Sequence, residues 1–194
     1  LIALAAAACR ASLERTTEKL ADIREVNPGI AVDIRYATKN NFMGEALYPT
    51  ARCLLRKDAA ERLSRAHDAL AARGLGLKTW DCYRPLSIQR KLWQKVPDPR
   101  YVADPKKGSR HNRGAAVDVT LVDAQGRELE MPTGYDDFTP QAAASAPSAS
   151  PRALENRKLL QEAMAGQGFQ ALESEWWHFD APGWREHSLL DLPL

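Results

Sequence analysis

The sequence predicts a single α+β domain with a central, largely antiparallel sheet flanked by helices. The chain has 194 residues, a length that suits one domain with a sizeable core and would be cramped for two. No internal repeat and no strong linker divides it. Its helical and strand-like segments follow one another in a mixed order, whereas a parallel sheet requires regular alternation of strands and helices.

The individual elements are predicted from hydrophobic periodicity and from chain breakers. Apolar residues at helical spacing predict a first helix over residues 57–72, which Gly74 ends. Pro85 suits the first turn of a second helix, because its fixed φ is helical and its missing N–H would have no partner there. A third helix is predicted over residues 152–166. Alternating or β-branched patterns predict strands over residues 31–36, 75–83, 115–121 and 169–172.

Residues 141–151 are a low-complexity stretch made almost entirely of Ala, Ser and Pro. Such a composition offers little apolar surface to bury. We therefore expect this stretch to pack poorly and to form a mobile surface loop.

The charge balance bears on the kinds of partner. The chain carries 27 basic and 25 acidic residues, for a net charge of +2, and 44% of its residues are hydrophobic. Neither an excess of charge nor a basic cluster indicates nucleic acid or an anionic membrane surface as a partner.

The first ten residues are expected to be a signal-peptide remnant, with the functional domain over residues 11–194. Residues 1–8 form an apolar, Ala-rich run that is too short to cross a bilayer. Ala6, Ala7 and Ala8 at the end of this run are typical of a small-residue cleavage site, which favours export over the alternative of a frayed N-terminal stub. Cys9 follows directly, so a lipid anchor at Cys9 is a second hypothesis for this region.

The chain has three cysteines, Cys9, Cys53 and Cys82. Cys53 and Cys82 could form a disulfide in an oxidising compartment. We favour the alternative that both are unlinked, buried thiols that pack as small hydrophobic groups. The absence of a CxxC pair argues against a cysteine-based zinc site.

Two histidines and one aspartate form a candidate metal site. His111 precedes the predicted strand 115–121, Asp118 lies on that strand, and Gly114 allows a sharp backbone turn between them. His178 lies far along the chain, three residues after Glu175. Two imidazoles and one carboxylate would leave a zinc position open, as in catalytic sites, whereas structural sites fill all four positions with protein ligands. Each residue taken alone is also compatible with an ordinary polar position.

The spacing of Glu175 and His178 predicts an irregular backbone. In a regular strand these side chains would point to opposite faces, about 10 Å apart along the chain. Both can face one metal only if the strand bends between them. We therefore expect a bulge or a turn at Trp176 and Trp177.

Four segments taken together resemble the D-alanyl-D-alanine dipeptidases, the zinc peptidases known from vancomycin resistance. Residues 109–118, SRHNRGAAVD, resemble the family pattern Ser-x-His-x-x-Gly-x-Ala-x-Asp, and residues 174–178, SEWWH, resemble its second half. Residues 80–85, WDCYRP, and residues 34–44 resemble two further family segments. Their order matches that of the family, and the resemblance covers roughly the whole chain after the first ten residues.

The resemblance implies a hedgehog/D,D-peptidase-like fold, one Zn²⁺ per chain and hydrolysis of D-Ala-D-Ala to free D-alanine. It implies that three residues bind the metal: His111, Asp118 and His178. It implies that Glu175 is the general base and that Arg84 stabilises charge at the reacting carbonyl; the alternative for Arg84 is a surface ion pair at a helix start. It also implies that the dipeptide pocket is lined by Tyr36, Ser109 and Asp136.

The biological role expected from this resemblance is cell-wall peptide turnover or salvage in the periplasm. One alternative is a D,D-carboxypeptidase that trims longer wall peptides, and another is a non-catalytic zinc-binding module of the same fold. Glu175 and Arg84 argue against the module, because a pure binding site needs neither a base nor an oxyanion partner. His67 and His187 are interpreted as non-ligands. Residues 139–151 depart from the family sequence, so the resemblance sets no substrate size limit there.

Overall fold

The computed structural model describes residues 20–147 and 150–194. The expected signal-peptide remnant and Cys9 lie outside these residues. No helix within the described ranges is both long enough and apolar enough to cross a membrane.

A five-stranded, largely antiparallel sheet forms the centre of the fold, which confirms the predicted architecture. The strands are β1 (Ala21–Asp22), β2 (Ala31–Val32), β3 (Leu54–Leu55), β4 (Leu75–Asp81), β5 (Ala116–Asp123), β6 (Gln170–Leu172) and β7 (Glu175–Asp180). The helices are α1 (Ile23–Val26), α2 (Lys57–Ala71), α3 (Leu86–Lys95) and α4 (Pro151–Ala165). The sheet order is β2-β4-β5-β7-β6, and only β2 and β4 run parallel. β1 and β3 form a separate antiparallel pair.

Both faces of the central strand β5 are buried, but they differ in chemistry. Val117 and Val119 lie in the hydrophobic core, which also contains Leu63 of α2 and Leu160 of α4. The alternate residues of β5 point to the opposite face, where Asp118 is buried as well. One side of β5 therefore stabilises the domain while the other carries a polar site.

The strand predicted over residues 31–36 is shorter in the structure. Within this segment only Ala31 and Val32 pair with β4, and a 3-10 turn over Arg35–Ala37 then carries the chain away from the sheet. This turn buries the side chain of Tyr36. The alternating sequence is therefore compatible both with a strand and with a strand followed by a 3-10 turn. The structure has the turn, which directs Tyr36 inward.

The expectation that residues 141–151 pack poorly is wrong for the part that the structure describes. Ala142 and Ala144 are buried. Arg157 and Gln161 of α4 donate hydrogen bonds to backbone carbonyls of this segment. The small side chains of residues 142–147 let the backbone of this segment lie close to α4. Polar side chains of α4 then donate hydrogen bonds to the carbonyl groups of the segment.

Cys53 and Cys82 form a disulfide, so the favoured expectation of two unlinked thiols is wrong. The reason lies in tertiary structure. The amide of Tyr83 donates a 2.9 Å hydrogen bond to the carbonyl of Leu54, which holds the segment after β4 beside β3. The two Cα atoms are consequently 5.1 Å apart, within the range that a disulfide spans.

Candidate active site

Three potential metal-binding atoms converge between β5 and β7. Asp118 and His178 are directly paired across the two strands, and His111 reaches them from a short 3-10 turn before β5. Gly114 ends that turn at a φ of +66°, and a Cβ there would lie 2.5 Å from a Leu20 methyl carbon. The left-handed backbone therefore favours glycine here, and a larger residue would also displace the Leu20 side chain.

The three donor atoms lie at separations that suit one zinc ion. His111 Nε2 is 3.1 Å from His178 Nδ1 and 3.3 Å from Asp118 Oδ1. His178 Nδ1 is 3.0 Å from Asp118 Oδ1. Ligands about 2.0–2.1 Å from a tetrahedral zinc are themselves roughly 3.3 Å apart, so only small shifts would admit the ion.

The outer nitrogens of both histidines face groups that only accept hydrogen bonds. His111 Nδ1 lies 2.7 Å from the carbonyl of Cys82, and His178 Nε2 lies 2.9 Å from Asp180 Oδ1. A proton on each outer nitrogen leaves the inner nitrogens free to bind a cation, an arrangement common around metal-binding histidines. The donor set therefore fits a metal ion.

The carboxylates around the two histidines also favour a positive charge between His111, Asp118 and His178. Burial disfavours a charged imidazole, but the hydrogen bonds with Asp118 and Asp180 outweigh it and raise the pKa of His178 to about 10. Burial works against an ionised Asp118, yet the two adjacent histidines hold the pKa of its carboxyl well below the usual range. Tyr135 donates a 2.9 Å hydrogen bond to the second oxygen of Asp118. A divalent cation would supply the positive charge that these groups favour.

The predicted bend at Trp176 and Trp177 is confirmed. Ala171 of β6 pairs with Phe179 of β7, and the next residue, Leu172, pairs with Glu175. The three β7 residues between these pairs, 176–178, therefore form a bulge. Both tryptophans are buried, and Glu175 Oε2 comes within 3.8 Å of His178 Nδ1. Burial is the largest influence on Glu175, and together with the charge of Asp118 it outweighs His178 and raises the pKa to about 6. The Glu175 carboxylate thus lies beside the three candidate metal-binding residues but is not one of them.

Arg84 is buried in the cavity wall, which excludes the alternative of a surface ion pair. Its Nε and Nη2 donate hydrogen bonds of 3.0 and 2.7 Å to Asp81 Oδ2, and its Nη1 donates one of 2.8 Å to Gln89. The guanidinium also lies 5.1 Å from the ring centre of Tyr36. Tyr48 holds the other oxygen of Asp81 through a 2.8 Å hydrogen bond. These contacts fix the position of the Arg84 charge.

Tyr36 and Asp136 form another part of the cavity wall. The Tyr36 hydroxyl donates a 3.1 Å hydrogen bond to Asp136 Oδ2. Asp136 has a φ of +57°, a left-handed conformation that Asp tolerates better than most residues. Burial, followed by the negative charge of Asp118, raises the pKa of Asp136 to about 8. Ser109 lies nearer the metal donors, and its hydroxyl accepts a 3.2 Å hydrogen bond from the amide of His111.

All eight site residues predicted from the sequence line a single small cavity of about 130 Å³. They are Tyr36, Arg84, Ser109, His111, Asp118, Asp136, Glu175 and His178. Pockets for drug-sized ligands measure roughly 300–1,000 Å³, so this cavity suits a smaller molecule.

Three further residues, Asp180, Asp81 and Tyr135, support this wall and were not predicted from the sequence. Asp180 follows His178 by two positions on one strand, which places both on the same side, and that spacing could have identified it. Asp81 lies three residues before its partner Arg84 within the segment WDCYRP, and that spacing could have identified it too. Tyr135 carries no comparable signal, because its partner Asp118 lies 17 residues away. His67 accepts a 3.1 Å hydrogen bond from the amide of Leu77, and neither His67 nor His187 belongs to the candidate metal-binding cluster found in the described residues.

Comparison with known proteins agrees with this site. The sequence model of peptidase family M15, described as D-ala-D-ala dipeptidase, matches residues 16–189. The chain is 42% identical to the D-alanyl-D-alanine dipeptidase of Escherichia coli K12 over 174 residues, which covers 90% of each protein. It is 30% identical to the D-alanyl-D-alanine dipeptidase of Enterococcus faecium, over 88% of this chain and 95% of the relative. It is 32% identical to the corresponding protein of Streptomyces coelicolor, over 84% of this chain and 91% of the relative. The chain therefore belongs to peptidase family M15, the D-ala-D-ala dipeptidase family.

Proposed function

We propose that this peptidase uses zinc to hydrolyse D-Ala-D-Ala to free D-alanine. The observation that carries the proposal is the convergence of His111, Asp118 and His178 beside Glu175 in one small cavity. The names of the relatives support the choice of dipeptide, because the chain aligns with 90% of the Escherichia coli protein.

The proposed metal ligands are His111 through Nε2, His178 through Nδ1 and Asp118 through Oδ1. Three protein ligands leave one position of a tetrahedral zinc ion for water or substrate. When bound there, zinc would act as a Lewis acid on the scissile carbonyl and would lower the pKa of a water molecule. Cys82 and Asp180 would hold the two imidazoles in the required tautomers.

Glu175 is the proposed general base. Its carboxylate takes a proton from the attacking water, whose oxygen forms a bond to the carbonyl carbon. When the C–N bond breaks, Glu175 returns the proton to the leaving amine. The β7 bulge brings this carboxylate to 3.8 Å from His178, so the base lies beside the point where the reaction occurs.

Arg84 is proposed to stabilise the negative charge that develops on the carbonyl oxygen. Asp81 and Gln89 hold its guanidinium in place before the substrate arrives, which avoids the cost of reorganisation during the reaction. Asp136 is proposed to accept hydrogen bonds from the free ammonium of the dipeptide. Tyr36 orients that carboxyl through its hydroxyl.

The proposed setting is the periplasm, where the enzyme would act in cell-wall peptide turnover or salvage. Export is supported by the apolar run of residues 1–8. The Cys53–Cys82 disulfide supports an oxidising compartment. Release of the protein from cells by osmotic shock tests this assignment, and retention in the membrane fraction would indicate an anchor at Cys9 instead.

The test of function is the release of free D-alanine from D-Ala-D-Ala by purified protein. We expect turnover that a chelator abolishes and added Zn²⁺ restores, and L-Ala-L-Ala serves as the stereochemical control. Absence of D-alanine release from zinc-loaded protein would contradict the proposal, and undiminished turnover in chelator would contradict its metal component.

A further inference from the structure

Arg110 differs from the other two arginines that line the cavity. Arg84 donates three hydrogen bonds to Asp81 and Gln89. Arg100 is largely exposed, with its side chain 75% accessible, and its guanidinium is paired with Asp98. Among the residues that the structure describes, Arg110 has only one ionic partner, Asp180, at 3.3 Å from Nε. That contact is not aligned as a hydrogen bond.

Arg110 is nevertheless held in place. Its guanidinium carbon lies 4.9 Å from the ring centre of Trp184, within the range of a cation–π contact. Nε is buried against Asp180, although 34% of the side chain is exposed. The exposed part of the side chain therefore lies outside Nε. Within the described part of the chain, the terminal nitrogens Nη1 and Nη2 make no hydrogen bond. The result is a positioned cation with unused donors on the wall of the catalytic cavity.

The substrate has a group that needs such a cation. D-Ala-D-Ala carries an ammonium at one end and a carboxylate at the other. Asp136 is assigned to the ammonium, and Arg84 is assigned to the carbonyl oxygen. Arg110 lies between Ser109 and His111 in sequence, and all three line the same wall. A planar guanidinium matches a carboxylate through two parallel hydrogen bonds.

We propose that Arg110 binds the C-terminal carboxylate of the substrate and thereby makes the enzyme specific for a free dipeptide acid. The proposal rests on the proposed dipeptidase function. Its competitor is a purely positioning role, in which Arg110 holds Asp180 and Asp180 in turn orients His178. The two roles affect different quantities, because the first acts on the substrate carboxylate and the second acts on the metal ligand.

The test compares kcat/KM for D-Ala-D-Ala with kcat/KM for D-Ala-D-Ala amide, which lacks the carboxylate charge. In Arg110→Gln we expect kcat/KM for the acid to fall roughly 10- to 150-fold, the range for losing hydrogen bonds to a charged group. The loss should lie mainly in KM, and the amide should change less than about threefold. Zinc content should stay at the wild-type level. Arg110→Lys keeps the charge but lacks the planar guanidinium. Its kcat/KM for the acid should therefore lie between those of the wild type and Arg110→Gln.

Arg185→Gln is the matched control, because Arg185 lies over the same Trp184 ring, 4.3 Å from its centre, but outside the cavity wall. It should keep the wild-type preference for the acid. Equal losses on acid and amide in Arg110→Gln, or a weaker zinc affinity in a chelator competition, would overturn the proposal in favour of the positioning role.

Calorimetry separates this proposal from the proposed function. D-Ala-D-Ala is titrated into zinc-loaded Glu175→Gln protein, with and without Arg110→Gln. Weaker binding in the double variant supports the carboxylate contact even if the wild type releases no D-alanine. Equal binding in both proteins, or no binding in either, overturns it.

Discussion

The carbonyl of Cys82 accepts a 2.7 Å hydrogen bond from Nδ1 of His111, so one half of the disulfide also orients a proposed zinc ligand. The disulfide joins Cys82 to Cys53, beside β3, and the next residues of the chain lead to Arg84. A covalent link between distant segments therefore holds two parts of the active site, the imidazole and the guanidinium, in a fixed relation.

Removal of the disulfide should destabilise the protein and loosen this site. The crosslinked residues are 29 positions apart, for which loss of the link costs roughly 3–4 kcal/mol of unfolding free energy. We expect Cys53→Ala/Cys82→Ala to unfold at lower urea concentration than the oxidised wild type and to bind zinc more weakly. Equal urea midpoints for the two proteins would contradict this prediction.

The proposed metal ligands should control zinc content. His111→Ala and His178→Ala each remove one of three protein donors, and we expect both variants to lose most of their zinc when measured by elemental analysis after dialysis. His187→Ala is the control, since it lies outside the metal-binding cluster. Full zinc occupancy in either ligand variant would remove that residue from the assignment.

Replacement of the base should separate catalysis from metal binding. We expect Glu175→Gln to keep its zinc and to lose kcat by a factor of about 100 to 10,000, the usual contribution of a positioned acid–base group. Glu173→Gln changes an exposed carboxylate in the preceding turn and should leave kcat unchanged. Near-normal turnover in Glu175→Gln would show that another group accepts the proton.

The candidate metal site could be predicted from short local spacings, whereas the remaining site residues were implied by the resemblance to the dipeptidase family. The segment around His111 and the segment around His178 each carry a recognisable spacing, and the regular periodicity of α2 and β5 reflects burial of one helix face and of a central strand. The bend between Glu175 and His178 could be inferred because regular strand geometry cannot bring them together.

The features that escaped prediction depend on contacts between distant segments. The spacing of Cys53 and Cys82 does not reveal that β3 lies beside the end of β4. The burial of Ala142 likewise depends on hydrogen bonds from α4, which composition alone does not show. Tertiary packing overrides local propensity at both places.

Asp136 should make the stability of the metal-free protein depend on pH. Burial and the charge of Asp118 raise the pKa of its carboxyl to about 8, from about 4 in an unfolded chain. Between these values the folded state retains a proton that the unfolded state releases, so the contribution of Asp136 to stability is complete below about pH 4 and is lost as the pH rises toward 8.

Asp136→Asn removes this titration and suits the φ of +57° that the position requires. We therefore expect a flatter dependence of unfolding free energy on pH in this variant, with a difference on the order of a few kcal/mol between pH 5 and pH 8. Urea denaturation in the presence of chelator measures it. Parallel pH profiles for wild type and variant would show that Asp136 is already ionised in the folded protein.

The cavity should limit the length of the substrate. Phe138 lines one side of the cavity, where its ring stacks on Tyr101 at 5.0 Å and meets Phe42 edge-on at 5.2 Å. The segment that follows is packed on α4, so this aromatic wall has a firm support. A longer peptide would have to displace the wall and would also lack the ammonium that Asp136 is placed to accept. A buried carboxyl left without its partner penalises such a substrate strongly.

We therefore expect kcat/KM for D-Ala-D-Ala to exceed that for N-acetyl-D-Ala-D-Ala, and for a wall pentapeptide ending in D-Ala-D-Ala, by at least about 100-fold, the scale of a buried polar group left without its partner. Phe138→Ala should reduce the ratio of these kcat/KM values by raising kcat/KM for the longer substrates. Asp136→Asn should reduce the same ratio by lowering kcat/KM for D-Ala-D-Ala. Similar values for all three substrates in the wild type would favour a D,D-carboxypeptidase, because the same metal ligands and base would then act in a cavity that opens to longer chains.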